Sequence, residues 1–301
     1  MSRSIAAMGP RPTAEPDRLS APAAIRPATV DDLPAIRGIL AAHGNDGPIE
    51  NGDIVGPYLR QLIGCHVARV SERDGEVVAF AAAVRAGLSR HLADLFVRPD
   101  LLGRGIGRPL LDAVFDGDDR RTTFASDDPR AMPLYVRAGM RPYWPHLYLR
   151  GDADAIRASR VGLVVGSAPV VRLADLELRW KGIDRQVDYD HWGTVPAADP
   201  FVVTDSGEEV AIGLARARQV GPARILDRLL VHPDADPVPV ILAAIVRAAR
   251  DGPVIVAVPG PNPVLSTLLV AGFRIDDHDT FMASDPGLLD PTRFLPNSGL
   301  L

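Results

Sequence analysis

Hydrophobic and polar positions change period several times along this chain. Apolar runs at 66–71, 76–84 and 92–97 read as strands, and Asp74-Gly75 between the first two is a hairpin turn signal. Helical spacing takes over at Leu110, Leu111, Val114 and Phe115, which share one face. Around these, the pattern predicts a short strand at 25–27 and a helix from a Thr29 cap through His43. Asp31 and Asp32 favour the positive end of that helix. A second helix near 54–63, a strand at 122–125, a helix at 129–138 and a closing strand at 141–149 complete the unit.

The second half repeats the first. Strands at 201–204 and 208–215 flank the turn Asp205-Ser206-Gly207, and a strand at 225–231, a helix near 239–250, a strand at 254–258 and a helix at 264–270 follow. Val231-His232-Pro233-Asp234 lies over Val97-Arg98-Pro99-Asp100, and Ala271-Gly272-Phe273 over Ala138-Gly139-Met140. Repetition at domain length accounts for 301 residues as two α/β lobes. The expected division is a first lobe at 25–151, a linker at 152–166 and a second lobe at 167–284. Residues 1–24, rich in Pro, Ser and Ala, are expected to form a disordered arm. In the tail 285–301, Arg293-Phe294-Leu295-Pro296 is expected to pack back on a domain surface.

The chemistry concentrates in Leu95-Phe96-Val97-Arg98-Pro99-Asp100-Leu101-Leu102-Gly103-Arg104-Gly105-Ile106-Gly107-Arg108. An apolar strand runs into a loop, and three glycines on alternate positions open an amphipathic helix. Unpaired amides at such a helix start form a cradle for phosphate oxygens. A Rossmann site wants G-x-G-x-x-G directly after the first strand, and a Walker A loop wants Lys followed by Ser or Thr. Neither pattern is met, because Arg108-Pro109 stands where the Lys pair would be.

The run resembles the acetyl-CoA motif of the GNAT acetyltransferase superfamily, V-x-P-x-x-[QR]-G-x-G-[IVL]-G, through Val97, Pro99, Gly103, Gly105, Ile106 and Gly107. It departs at Leu102, where the family usually carries Gln or Arg. Leu134-Tyr135-Val136-Arg137-Ala138-Gly139-Met140 resembles the family's downstream L-Y-x-x-x-G-F. The resemblance implies two tandem GNAT-like α+β lobes, each with a mixed, mostly antiparallel central sheet flanked by helices. It further implies an N-acetyltransferase using acetyl-CoA as co-substrate and passing the acetyl group directly to an amine. Amides of Gly103, Arg104, Gly105, Ile106, Gly107 and Arg108 would meet the pyrophosphate, and Leu95, Phe96 and Val97 would flank the pantetheine arm. Tyr135 would protonate the leaving thiolate.

By the same resemblance a general base is expected on the strand before the glycine loop, where this chain has His91, Ala93 and Asp94. Strand alternation predicts His91 and Ala93 on one face and Asp94 on the other, and the choice between His91 and Asp94 stays open. Asp128 stands where the family carries an Asn that touches the cofactor arm, and before Pro129 it also reads as a helix cap. In the second half Pro237 and Pro239 align with Gly103 and Gly105, and Leu268 with Tyr135. Proline has no N–H to give a phosphate, so that lobe is expected to be a degenerate copy. The alternative is a non-catalytic acyl-CoA-binding sensor or interaction protein.

Composition narrows the partners. A formal charge of −5 provides no basic field for nucleic acid. No span or export signal is read, and no histidine pair at metal-ligand spacing, so neither a membrane nor a metal is expected. The single cysteine, Cys65, fits a reducing cytoplasm and is expected at the start of an apolar strand as a buried thiol. The resemblance implies an amine acceptor, small or on a protein, which Asp46, Glu50 and Asp53 in the loop after the first helix would attract. Tyr143-Trp144-Pro145-His146 and Tyr189-Asp190-His191-Trp192 are further candidates for its pocket. Acyl chain length and oligomeric state are left open.

Overall fold

A computed structural model of the chain describes residues 23–301 apart from 88, 118–119, 158–162 and 251, so the expected arm at 1–24 lies almost wholly outside the described residues. The first half runs β1 (Ala24–Pro27), α1 (Leu33–Ala42), α2 (Val55–Cys65), β2 (Val67–Arg73), β3 (Glu76–Ala86), β4 (Ser89–Val97), α3 (Gly107–Phe115), β5 (Arg121–Ala125), α4 (Ala131–Arg137) and β6 (Arg141–Gly151). A short α5 (Asp154–Arg157) leads to the second half: β7 (Val164–Ser167), α6 (Val170–Lys181), α7 (Gln186–Thr194), β8 (Asp199–Asp205), β9 (Glu208–Ala217), β10 (Arg224–Val231), α8 (Pro237–Ala249), β11 (Val254–Pro259), α9 (Val264–Val270) and β12 (Arg274–Ala283). A two-residue strand, β13 (Phe294–Leu295), closes the chain.

The element order is therefore written twice, but the sheet is continuous. Its order is β1-β2-β3-β4-β5-β12-β6-β11-β10-β9-β8-β7, with β13 on β10. All neighbours are antiparallel except β4 with β5 and β10 with β11. The closing strands change places: β12 pairs with β5 of the first half, and β6 pairs with β11 of the second. Local patterning cannot reveal such an exchange, because the partners of β6 and β12 lie far away in the sequence.

Both β4 and β10 carry one extra residue. Leu92 and Asp94 face adjacent Ala83 and Ala82 on β3, leaving Ala93 as a bulge. Leu226 and Arg228 face Ala215 and Leu214 on β9, leaving Asp227 as the equivalent bulge. A bulge reverses the alternation beyond it. His91 and Asp94 therefore share one face of the sheet, which corrects the expectation that they point to opposite faces.

The halves also share a core. Leu59, Leu62 and Phe80 of the first pack in one buried cluster with Tyr189, Trp192, Leu230 and Leu300 of the second. A buried ionic network crosses the same boundary. Asp188 takes a bond from His66 at 2.8 Å and from Arg185 at 3.0 Å, and Arg228 reaches Glu177 at 2.7 Å. Cys65 is exposed as the last residue of α2, not buried in a strand. Helical spacing from Tyr58 to Ile63 runs two residues further than the predicted end, and β2 starts only at Val67.

Candidate active site

The loop after β4 supplies the anion-binding geometry. Gly103 and Gly105 have φ of 77° and 80°, a left-handed conformation that favours glycine. A Cβ at either would meet nothing within 4 Å, so both face open space. The amides of Gly103, Gly105, Ile106 and Gly107 make no turn or cap bond among the described residues. α3 then starts at Gly107 with no side-chain cap. A pyrophosphate fits this set of donors. The Arg108 side chain is turned back to Asp112 at 2.9 Å.

Next to the loop, β4 and β5 part. Their parallel pairing ends at Leu92 opposite Thr123. Arg98 N–H donates to Val78 at 2.9 Å, so by alternation Leu95 and Val97 turn their main-chain groups away from β3, into the gap. His43 Nε2 donates to the Val97 carbonyl at 2.8 Å and its ring lies 5.5 Å from that of Phe96. An extended amide-bearing arm would find its hydrogen-bonding edge here.

The second half treats the same place differently. Pairing of β10 with β11 ends at Leu226, and β13 enters beyond it, with Leu295 opposite Leu229 and Phe294 opposite Leu230. Val231 N–H donates to the Arg293 carbonyl at 2.9 Å. The Arg293 guanidinium caps the carbonyls of His232 and Ala235 in the loop that follows. α8 begins at Pro237, and the Asp236 carboxylate accepts from Val238 N–H at 3.2 Å. A carboxylate thus sits on the helix N-terminus that a phosphate would need.

Between the halves lies a cavity of about 590 Å³. Leu92, Ala93, Asp94, Leu95 and Phe96 of β4 line one side with Tyr58 and Tyr135, while His191, Trp192, Asp227 and Arg216 line the other. Asp277, Asp279 and Tyr148 come from the exchanged strands, and residues 297–300 from the tail. Tyr135 is 8% exposed, on α4. Burial and the nearby carboxylates of Asp128, Asp94 and Asp279 hold its hydroxyl well above the usual tyrosine value, so it stays protonated. Asp94 Oδ2 is closed to solvent and meets no hydrogen-bond partner among the described residues. Burial pushes the Asp94 carboxyl up to about 6, and the Tyr58 hydroxyl beside it offsets part of that rise.

The sequence candidates separate on these facts. Asp94 and Tyr135 line the cavity, as do Leu95 and Phe96. His91 does not. It is fully buried, its Nε2 bonded to the Ser298 carbonyl at 2.9 Å and its Nδ1 to the Thr122 hydroxyl at 3.1 Å, and burial lowers it to about 4. Asp128 accepts from Arg130 N–H and its guanidinium at 2.8 Å. The loop acids are engaged elsewhere: Asp46 and Asp53 pair with Arg37, and Glu50 receives Gly221 N–H at 2.8 Å. Trp144 stacks on Phe281 at 4.5 Å in a core cluster, whereas His191 and Trp192 reach the cavity.

Four features of the site carried no sequence signal: His43, Tyr58, Asp279 and the tail at 297–300. Gly299 packs so closely on Tyr58 that a Cβ there would lie 2.7 Å from the hydroxyl oxygen. Only the topology brings these segments to β4. The deviation of Asp94 from its neighbours is legible only once the bulge at Ala93 is known.

Comparison with known proteins agrees with this architecture. Residues 64–141 match the family model of the acetyltransferase (GNAT) domain. No curated protein matches the chain in sequence. A candidate acetyltransferase from Pyrococcus horikoshii is similar in structure at a TM-score of 0.66 and 17% identity, over 97% of this chain and 98% of that one. A tandem GNAT protein from the clavulanic acid biosynthesis pathway gives 0.58 and 16%, over 88% and 99%. A GCN5-related N-acetyltransferase from Anabaena variabilis gives 0.58 and 12%, over 87% and 72%. At these identities the likeness is one of fold. Among the described residues no helix is long and apolar enough to cross a membrane.

Proposed function

We propose, from the match of residues 64–141 to the acetyltransferase (GNAT) domain model, that the chain is an N-acetyltransferase whose first lobe, 25–151, works and whose second, 167–284, is a pseudo-lobe. The observation that carries the proposal is the orphan Oδ2 of Asp94, lining the same cavity as the buried Tyr135 hydroxyl, beside an open glycine cradle.

Acetyl-CoA, when bound, supplies an activated thioester. The amides of Gly103, Gly105, Ile106 and Gly107 hold its pyrophosphate, whereas the Arg104 amide, expected among them, donates to the Leu101 carbonyl at 3.4 Å. The open edge of Leu95 and Val97 aligns the arm, for which His43 must give up the Val97 carbonyl. A β4 main-chain N–H facing the gap stabilises charge that develops on the acetyl oxygen. Asp94 takes a proton from the attacking ammonium, a task suited to a base poised near 6. Tyr135, kept neutral, returns a proton to the departing thiolate, whose own pKa near 8.5 demands little driving force. His91 acts at one remove: it fixes the Ser298 carbonyl and with it the tail wall of the cavity.

The pseudo-lobe reading is supported by three features of one place: Pro237 where Gly103 would be, Asp236 on the helix start, and β13 in the gap. Incubating the protein with acetyl-CoA and a panel of primary amines tests the activity. Thiol release with a matching acetylated amine by mass spectrometry is the expected result. Saturable acetyl-CoA binding without thiol release from any amine would leave the sensor reading instead.

A further inference from the structure

The walls of the cavity specify the acceptor more narrowly than an amine. Three carboxyls line it without a cationic partner among the described residues: Asp94, Asp279 and, at the mouth, Asp277. The lining arginine, Arg216, is held by Asp227 at 2.9 Å, and burial lowers the His191 imidazole toward its neutral form. The cavity therefore has an uncompensated negative charge, and one of its acids, Asp94, has a buried oxygen that meets nothing.

The acids sit at two ends. The Ala93 bulge puts Asp94 on the face of His91, whose ring lies 5.5 Å from that of Phe124. Phe124 lies 5.4 Å from Phe281, and Asp279 alternates with Phe281 on β12, so Asp279 shares that face. β5 lies between β4 and β12. β4 and β5 part beyond Leu92, so two strand spacings, ~10 Å, are the least separation of the carboxyls, and allowing ~3 Å for each ammonium contact leaves ~4 Å or more between two nitrogens. Tyr58, Phe124 and Tyr148 line the same cavity, and aromatic rings suit both methylenes and cations.

Resting on the acetyltransferase reading above, we propose that the acceptor is a diamine, whose reacting nitrogen lies at Asp94 and whose second ammonium binds Asp279. One Asp279 oxygen accepts from the Tyr148 hydroxyl at 2.6 Å, which orients the carboxyl and leaves its other oxygen for the ligand. In the transfer, the nitrogen at Asp94 loses a proton to it and forms the C–N bond to the acetyl carbon. The C–S bond breaks, the sulfur takes the proton from Tyr135, and the second proton shed by the nitrogen as it becomes an amide restores the Tyr135 hydroxyl. The second ammonium does not react.

The test compares 1,4-diaminobutane with 1-aminobutane, which offers the same nucleophile without the second charge. The wild-type protein should favour the diamine about tenfold or more in kcat/KM, the range expected for one hydrogen bond to a charged group. Asp279→Asn should bring that ratio toward one through KM, and Tyr148→Phe should lower it part-way. Calorimetry of 1,4-diaminobutane with Tyr135→Phe protein saturated with coenzyme A should show binding that Asp279→Asn removes. Equal use of both amines by the wild type, or a ratio untouched by a folded Asp279→Asn, overturns the diamine assignment while leaving the acetyltransferase intact. Acetyl-CoA binding with no transfer to any amine refutes the activity beneath it, and this assignment with it.

Discussion

Val97 and Val231 hold equivalent positions at the ends of β4 and β10, yet the Val231 amide donates to Arg293 at 2.9 Å while the Val97 edge lies along an open gap. The two halves share a backbone plan and differ in what fills the space beside it. One gap stays open between β4 and β5, and the other is closed by the chain's own residues 293–295.

Tyr135→Phe removes the proposed acid and little else, since the ring remains packed. We expect kcat to fall roughly 10²-fold or more, with acetyl-CoA affinity within about twofold of wild type by the reading of lost transition-state interactions. Steady-state kinetics and titration calorimetry on the same preparation check both halves of that statement.

Asp94 should set the acid limb of the pH profile. With its carboxyl raised to about 6, kcat/KM should climb with pH through that value and level off above it. Asp94→Asn should abolish the limb and most of the rate. Stability should move the other way. A carboxyl raised from 3.8 makes the folded state bind more protons, so its ionisation destabilises the fold progressively between about pH 4 and 6. The Asn variant should therefore melt at a higher temperature than wild type at pH 7.5 and gain nothing at pH 3.5.

Asp188 has the opposite sign. His66 and Arg185 hold it down at about 2 against its own burial. Its contribution is complete above pH 4 and is lost as pH falls from about 4 toward 2. Asp188→Asn leaves buried charge uncompensated, so a loss of about 3–5 kcal/mol is expected in denaturant unfolding. A change below about 1 kcal/mol would mean that the network linking α2 to α7 carries little of the fold.

Arg293→Ala separates the two obstacles in the second lobe. Losing a charged donor to two carbonyls should cost about 1–3 kcal/mol, visible as a lower melting temperature. Acetyl-CoA stoichiometry should stay at one per chain, because Pro237 and the Asp236 cap remain.

Much of this was legible in the sequence, for a physical reason. Glycines at 103 and 105, the Asp74-Gly75 turn and the apolar face of α3 are local requirements, and local chemistry writes them plainly. What could not be read depends on distant partners. The Ala93 bulge is a mismatch with β3, the exchange of β6 and β12 is a choice between equally suitable neighbours, and the tail wall depends on His91 meeting Ser298 across 207 residues. The acid at the far end of the cavity, Asp279, had no motif around it because another half of the chain delivers it.

The central claim is one working acyl-CoA site, in the first lobe. Calorimetric titration of acetyl-CoA into wild type and Gly105→Pro tests it most directly, since φ of 80° at Gly105 is closed to proline and its amide is lost as well. Circular dichroism confirms that the variant is folded. One sub-millimolar site per wild-type chain, absent in the folded variant, is the predicted result. Two sites in the wild type, or one that survives the substitution, would contradict it.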